Sequence, residues 1–211
     1  MTPENIAVYK SGLVRVQGFG CARSSSSTCM IDDISCSSLY FRSPEVLLGY
    51  NDIGTSSDLW SLGCIIVQLV KRKVLFQGTG VLDQIERIVN LLGKPDLEDI
   101  LGTNEAIAHV SGIDAPLSEG SENPLKMLLE STNASLVDLI SGLLVFNPDK
   151  RLTALQAMRH PFFMGIHREA NVTWSAQEFK FDLTEEQMDP DLLKEEMYRT
   201  VKTSDRLKSA S

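Results

Sequence analysis

Cysteine and histidine are the side chains in this sequence best suited to metal or redox chemistry. The chain carries four cysteines and three histidines. They are Cys21, Cys29, Cys36, Cys64, His109, His160 and His167. No two cysteines form a C-x-x-C pair, and no cysteine and histidine stand at the spacing of a zinc site. The pattern predicts free thiols in a reducing compartment. His160 precedes Pro161 and is interpreted as a helix stop rather than a catalytic base.

Length and charge narrow the classes of function further. The 211 residues suffice for one domain with a sizeable core, and 43% hydrophobic with 23% charged residues is an ordinary soluble composition. The formal net charge of -8 argues against nucleic acid or an anionic membrane surface as the main partner. The opening residues, Met1-Thr2-Pro3-Glu4, lack the basic and then apolar pattern of a signal peptide.

One stretch, residues 55–73, is predicted to organise the fold. It begins with three candidate N-caps at 55–57 and ends with three basic residues at 71–73, the charge that a helix C-terminus favours. Between them, the apolar residues of 59–70 point in almost every direction. A helix that is apolar all round must be buried all round, and this one is too short and too interrupted to span a membrane. We predict a central buried helix over 56–70.

The remaining elements follow from periodicity and turn signals. Two short β-rich runs, 6–9 and 13–16, flank Lys10-Ser11-Gly12 and predict a tight hairpin. Apolar residues at helical spacing predict further helices. These helices cover residues 82–92, 134–146 and 153–159. Residues 102–124 are rich in Gly, Ser and Pro with little periodicity, so we expect a loop there.

Four motifs, in order along the chain, resemble those of the protein kinase large lobe. Tyr40-Phe41-Arg42-Ser43-Pro44-Glu45 is similar to the end of its activation segment, and Asp58-x-Trp60-Ser61-x-Gly63-Cys64 to its central helix. The run Phe76-x-Gly78…Asp83-Gln84…Gly93-x-Pro95 is similar to mitogen-activated and cyclin-dependent kinases in particular, and the run from Phe146 to Phe163 resembles F-N-P-x-K-R…H-P-F-F. The resemblance implies a mainly α fold: a kinase-like C-terminal lobe with a short N-terminal β-hairpin and a central buried helix.

The residues around the hairpin resemble the kinase catalytic loop and metal-binding turn, whose patterns are H-R-D-L-K-P-x-N and D-F-G. Met1 falls on the Leu, Thr2 on the Lys, Pro3 on the Pro, Asn5 on the Asn, and Gly18-Phe19-Gly20 on D-F-G. The resemblance implies a Mg-ATP site in which Asn5 is a residual magnesium ligand and Gly18 replaces the second. The His-Arg-Asp positions and the small lobe would precede Met1. We therefore assign no catalytic residue and expect no productive Mg-ATP binding by these 211 residues.

A polar, serine-rich stretch before Leu39 resembles the central part of an activation segment. Asp33 and Ser35 fall on the Thr and Tyr of the family's phosphoacceptor pair, so neither acceptor is kept and Ser35 is left as a candidate acceptor. Arg23 falls on the arginine that receives the phosphate, and Ser38 on the residue that shapes the substrate pocket. Leu39 replaces the arginine that follows, which argues against proline-directed specificity. The resemblance thus implies Arg23, Asp33 and Ser35 as regulatory residues.

Three charged residues are expected to support the fold. Glu45 and Arg151 each stand in a motif that is otherwise apolar or turn-like. Because an unpaired buried charge is costly, we predict a buried or half-buried ion pair between them. The two residues match a kinase ion pair that ties the activation segment to the large lobe. Asp58 matches the acid that braces the backbone of the catalytic loop.

The resemblance divides the chain into two parts. Residues 1–163 correspond to the kinase-like lobe, with an activation segment over 18–45, the central helix over 56–70 and a helical insert over 82–124. Residues 164–211 resemble the C-terminal extension of mitogen-activated protein kinases, through Phe179-Lys180-Phe181-Asp182 and an acidic helix around 192–198. The extension keeps one acid, Glu169, of the usual docking patch, which argues against docking of basic peptides.

Three functions stay open at this point. The first is the large lobe of a mitogen-activated-type Ser/Thr kinase, truncated before the catalytic loop and degenerate at D-F-G, with little or no catalysis of its own. The second is a pseudokinase-like protein-interaction module or regulator. The third, an unrelated all-helical binding protein, is disfavoured by the ordered run of motifs. We favour the first, and expect a cytoplasmic or nuclear location, with proteins as substrates or partners and no nucleic acid or membrane.

Overall fold

The computed structural model describes most of the chain. The described residues are 1–22, 39–50, 53–115 and 124–165, with 191, 194, 195, 197–199, 201 and 202. The chain divides into two units, Met1–Val172 and Thr173–Ser211. In the second unit the described residues are helical and exposed, and Lys202 Nζ lies 5.0 Å from the centre of the Tyr198 ring.

The first unit has a two-stranded antiparallel sheet and seven α-helices among its described residues. The strands are β1 (Ile6–Val8) and β2 (Val14–Val16). The helices are α1 (Pro44–Leu47), α2 (Ser56–Lys71), α3 (Val81–Leu92), α4 (Asn104–Gly112), α5 (Pro124–Leu128), α6 (Ala134–Leu143) and α7 (Ala154–Met158). Single turns of 3₁₀ helix lie at Pro3–Asn5, Phe19–Cys21, Leu97–Asp99, Pro148–Lys150 and Pro161–Phe163. The predicted fold class, mainly α with an N-terminal hairpin and a central helix, is confirmed.

The hairpin forms where the sequence predicts it. Ile6 pairs with Val16 and Val8 with Val14. The connecting turn places Gly12 at φ +82°, in the left-handed region that glycine adopts without steric cost. The amide of Tyr9 donates to the carbonyl oxygen of Leu13 at 2.9 Å and closes the turn. Because the register of the two strands is fixed, the chain before residue 6 and the chain after residue 16 leave the hairpin side by side.

The central helix, α2, is buried through its middle. Trp60 is 0% exposed and Val67 1%. At Gly63 a methyl group would come within 2.9 Å of the Leu144 side chain, so the glycine lets α2 and the end of α6 approach closely. The expectation of burial all round is wrong for the last turn, where Leu69 is 62% exposed. That turn leads into charged residues, including exposed Arg72 at φ +58°, which keep it at the surface.

The predicted helix over 82–92 is observed as α3, with one further residue at its start. The middle of its apolar face is buried, with Ile85, Ile88 and Val89 each 0% exposed, whereas Leu82 in the first turn is 58% exposed. Gly93 follows the helix at φ +93°, as expected of a C-terminal glycine. Periodicity and the glycine stop together fix this element from sequence.

The expected loop over 102–124 is wrong for residues 104–112, which form α4. The Thr103 hydroxyl accepts a hydrogen bond from the Ala106 amide at 3.3 Å, an N-cap that opens the helix. Val110 is fully buried and anchors the helix to the core. The short length of the apolar face, in a stretch with several small residues, is why periodicity alone does not predict it.

The two later helices begin at capped residues. The Asn133 side chain accepts from two amides at the start of α6, and Thr153 and Gln156 form a capping box at the start of α7. The predicted helix over 134–146 ends earlier, at Leu143, because the backbone of Leu144 leaves the helical conformation at ψ 54°. Residues 144–151 therefore form a separate loop, which carries Arg151.

Candidate functional site

The loop before the hairpin is a closed hydrogen-bonded turn. Pro3 starts a 3₁₀ turn and the Asn5 amide donates to the Thr2 carbonyl oxygen at 2.9 Å. The Thr2 amide and the Thr2 hydroxyl both donate to Asn5 Oδ1, at 2.9 and 3.0 Å. The side-chain oxygen of Asn5 therefore accepts two hydrogen bonds from within its own turn.

The loop after the hairpin returns to this turn. The Gln17 amide donates to the Asn5 carbonyl oxygen at 2.8 Å, and Gln17 Nε2 donates to the Glu4 carbonyl oxygen at 3.1 Å. Gly18 follows in the left-handed conformation, at φ +78° and ψ +43°. The two loops are thus linked through backbone carbonyl groups, and Gly18 lies beside Asn5.

Asp58, at the start of α2, reaches the same region. Its Oδ1 lies 3.3 Å from the backbone nitrogen of Met1, and its side chain is 63% exposed. Ser61, one turn later, is buried, and its hydroxyl donates to the Phe41 carbonyl oxygen at 2.9 Å. One end of α2 therefore contacts both the first residue and the segment that precedes α1.

Glu45 and Arg151 form a bidentate ion pair. Arg151 Nη1 and Nη2 lie 3.0 and 2.9 Å from the two carboxylate oxygens of Glu45, and the two side chains are 0% and 2% exposed. The remaining N–H groups donate to backbone carbonyl oxygens. Nη1 donates to Ser56 at 2.7 Å, Nε donates to Val145 at 3.1 Å, and Nη2 donates to Phe146 at 3.4 Å. All five guanidinium donors thus have an acceptor.

The guanidinium group also lies over an aromatic stack. Its carbon is 5.2 Å from the centre of the Trp60 ring, and this ring stacks on Phe76 with centroids 6.1 Å apart and planes 13° apart. A cation over the face of an indole ring is attracted by its quadrupole. Arg151 therefore joins α1, the N-terminus of α2 and the core.

Comparison with known proteins identifies the fold. The family described as Protein kinase domain matches residues 1–163.

This chain belongs to the protein kinase family.

Its curated relatives are mitogen-activated and cyclin-dependent kinases. Cyclin-dependent kinase 7 of Dictyostelium discoideum is 32% identical over 171 residues, which is 81% of this chain and 46% of the relative. Extracellular signal-regulated kinase 2 of the same organism is 33% identical over 174 residues, 80% of this chain and 47% of the relative. Mitogen-activated protein kinase 4a of Physcomitrium patens is 30% identical over 201 residues, 94% of this chain and 52% of the relative. The chain spans about half the length of these relatives, and the predicted resemblance is confirmed.

Of the two kinase positions for magnesium, one keeps its residue, Asn5, and the other is Gly18. Magnesium is bound in kinases through carboxylate, amide and phosphate oxygens. The Asn5 oxygen already accepts two hydrogen bonds, and Gly18 has no side chain. Among the residues that the structure describes, no group of three or more His, Cys, Asp or Glu side chains is placed to hold a metal ion. Asn5 and Gly18 together offer an ion one side-chain oxygen, that of Asn5, where the kinase pattern offers a carboxylate as well.

Several predicted site residues lie outside the described part of the chain. They are Arg23, Asp33, Ser35 and Ser38. Their regulatory and substrate-pocket roles stay predictions, as do those of Asn5 as a magnesium ligand and Asp58 as a brace. For Glu45 and Arg151 the predicted contact is observed directly.

Sequence reasoning did not single out the contacts that surround the ion pair. The Ser56 carbonyl oxygen and the Trp60 ring both contact Arg151, yet both come from a helix about ninety positions earlier in the sequence. The family pattern signals Trp60 only as a part of the central-helix motif. Its role beneath the guanidinium group depends on tertiary packing.

Two further features can be assigned no chemistry of the kinase site. Cys64 is a free thiol in the core, and burial raises its pKa, so it stays protonated. A cavity of about 430 Å³ lies between α3 and α4 and is lined in part by Glu86, His109 and Asp114. None of its lining residues belongs to the turn or to the ion pair.

No helix in the described residues is long and apolar enough to cross a membrane.

Proposed function

We propose that this chain supplies the large lobe of a mitogen-activated-type Ser/Thr protein kinase and, as an isolated 211-residue polypeptide, transfers little or no phosphate. One observation carries the proposal. The residues that hold the end of the activation segment, Glu45 and Arg151, are fully paired, whereas the magnesium positions, Asn5 and Gly18, lack a free donor set. Phosphoryl transfer depends on positioning and on metal-borne charge stabilisation.

The cofactor and partners follow from the family. Mg-ATP is the cofactor of kinases, and we expect no productive binding of it to this chain alone. Proteins are the proposed substrates or partners, with no role for nucleic acid or membrane, and a cytoplasmic or nuclear location fits that role. The net charge of -8 supports the exclusion of nucleic acid.

A second candidate function is a pseudokinase-like protein-interaction module. Exposed apolar residues in and just after the hairpin favour it: Val8 is 71% exposed, its cross-strand partner Val14 55%, and Phe19, in the 3₁₀ turn that follows, 69%. Contiguous exposed apolar surface marks sites of protein interaction. Binding of a protein partner without any phosphate transfer would distinguish this function from a weak kinase.

Regulation is proposed at the activation segment. A carboxylate at Asp33 could stand in for the family's phosphate opposite Arg23, with less charge than a phosphate carries. The alternative is two solvated charges with no contact. The proteolysis experiment in the Discussion separates the two.

The test is transfer of labelled phosphate to a generic basic protein by the purified chain, beside an active curated relative as positive control. We expect no transfer above background. A mock preparation from cells that do not express the chain, purified identically, shows whether any residual signal is a contaminant. Turnover that the parent shows and the mock preparation lacks would overturn the proposal.

A further inference from the structure

The side-chain oxygen of Asn5 is committed to its own turn. An amide oxygen has two lone pairs, and here the amide and the hydroxyl of Thr2 both donate to it, at 2.9 and 3.0 Å. The backbone amide of Asn5 closes the same turn by donating to the Thr2 carbonyl oxygen. A cation could coordinate this oxygen only by displacing hydrogen bonds that define the turn.

The amide nitrogen of Asn5 fills the space beside Gly18. A methyl group built on Gly18 would overlap Asn5 Nδ2 and lie 3.4 Å from Asn5 Cγ. The backbone there, at φ +78°, is also one that most side chains avoid. Gly12 has a similar conformation, at φ +82°, but a methyl group there would meet nothing within 4 Å. The crowding is therefore a property of Gly18 and not of left-handed glycines in this hairpin.

The connection between the two loops needs no ion. The amide and side chain of Gln17 donate to the carbonyl oxygens of Asn5 and Glu4, at 2.8 and 3.1 Å. These bonds hold the segment that carries Gly18 against the turn that carries Asn5. In a magnesium site, by contrast, the ion would join oxygen ligands from the two segments.

We propose that the Asn5 side chain is a structural cap of this turn rather than a magnesium ligand. Asn5 and Gly18 are also coupled, because the side-chain amide of Asn5, in this orientation, occupies the space that a side chain at position 18 would need. The idea deepens the proposed function and rests on its assignment of the kinase metal positions to these residues. The consequence is that folding of this turn is independent of magnesium. Its test measures local folding, so it can fail while the absence of phosphate transfer stands.

The experiment is hydrogen exchange in the 211-residue chain at the backbone amide of Gln17, which donates to the backbone carbonyl oxygen of Asn5, a group that Asn5→Ala keeps. Gly18→Ala and Gly12→Ala are each made in the parent and in an Asn5→Ala background. Steric overlap typically costs enough to speed exchange about 10-fold or more, so we expect Gly18→Ala to do so in the parent and much less in Asn5→Ala. Gly12→Ala, which introduces strain without overlap, should have the same effect in both backgrounds. Equal effects of Gly18→Ala in the two backgrounds would overturn the coupling.

A second arm tests the cap itself. Asn5→Asp keeps an acceptor oxygen for Thr2 and should preserve protection of the Asn5 amide, whereas Asn5→Ala should lose it. Excess magnesium chloride or a chelator should leave exchange at both amides of the parent unchanged. Slower exchange on adding magnesium, or full protection in Asn5→Ala, would contradict the assignment of Asn5 as a cap. Circular dichroism confirms that each variant retains its helices.

Discussion

The ion pair of Glu45 with Arg151 and the turn that contains Asn5 and Gly18 differ in burial and in how much each is expected to stabilise the fold. Glu45 and Arg151 are buried, and all five donors of the guanidinium group have acceptors. Asn5 and Gly18 lie at a partly exposed turn, in which the Asn5 side-chain oxygen accepts two hydrogen bonds from Thr2. Losing one buried charge leaves its partner unpaired at a cost of several kcal/mol, whereas losing a carboxylate at an exposed turn costs the fold little. The fold therefore constrains the residues of the buried pair far more strongly than those of the exposed turn.

The largest expected effect is at the ion pair. Arg151→Ala leaves the Glu45 carboxylate buried and unpaired, and such a change typically costs about 3–5 kcal/mol. For a domain of this size we expect the thermal midpoint to fall by about 6–20 °C, measured by circular dichroism. Lys150→Ala is the comparison variant: it removes the adjacent charge, whose side chain is 54% exposed where it pairs with Asp99, and should change the midpoint far less. An unchanged midpoint in Arg151→Ala would contradict the importance of the pair.

A smaller effect is expected where α2 contacts the segment before α1. The Ser61 hydroxyl is buried and donates to the Phe41 carbonyl oxygen. Ser61→Ala leaves that carbonyl without this donor, which typically costs about 1–3 kcal/mol. Urea denaturation measures the loss, and Ser57→Ala, whose partly exposed hydroxyl lies 2.8 Å from that of Ser43, is a comparison variant in the same helix turn. A free energy of unfolding in Ser61→Ala equal to that of the parent would show that the buried bond adds nothing.

The free energy of unfolding should also depend modestly on pH, through Asp99 and its contacts with the loop that carries Arg151. Two hydrogen bonds hold the pKa of Asp99 below its usual range. The larger contribution comes from Lys150, at 2.6 Å, and the smaller from Asn147, at 2.8 Å. A carboxyl whose pKa is lowered by folding stabilises the fold above its unfolded pKa, and the gain is lost as pH falls through the folded value. We expect Asp99→Asn to flatten the acid side of a stability profile below about pH 4. Profiles that stay parallel would exclude this contribution.

The smallest expected effect concerns the activation segment. If Asp33 pairs with Arg23, Asp33→Asn should speed limited proteolysis within residues 24–39, because the segment loses a charge contact that orders it. Mass spectrometry of the cleavage products measures the rate, with Asp32→Asn as the neighbouring control. Cleavage of Asp33→Asn at the rate of the parent would favour two solvated charges.

Much of the architecture could be predicted from sequence because local signals agree with tertiary packing. The hairpin follows from β-rich runs around Gly12, and α3 follows from its apolar face and Gly93. The ion pair follows from the cost of leaving either charge unpaired. For the hairpin and α3 the physical requirement is visible in neighbouring residues, and for the ion pair it is visible as one charge in each of two distant motifs.

The rest depends on contacts that no local pattern encodes. Helix α4 has a short apolar face, and its burial through Val110 is decided by α3 and the core. The orientation of the Asn5 side chain toward Thr2 is decided by a turn of only four residues, and a family pattern for Asn gives no sign of it. Knowledge that Asn5 is present therefore did not reveal what its oxygen binds.

The central claim is that the kinase fold is kept while the metal chemistry of the turn is lost. Calorimetric titration of Mg-ATP into the purified chain, and into Gly18→Asp, tests it most directly. We predict no magnesium-dependent binding by the parent, because the Asn5 oxygen is occupied and position 18 has no carboxylate. Gly18→Asp should not restore binding or phosphate transfer, because the Asn5 oxygen would still accept two hydrogen bonds within its own turn and residues acting as a unit fail as a unit. Magnesium-dependent binding of the nucleotide by the parent, with a Kd in the micromolar range, would contradict the account.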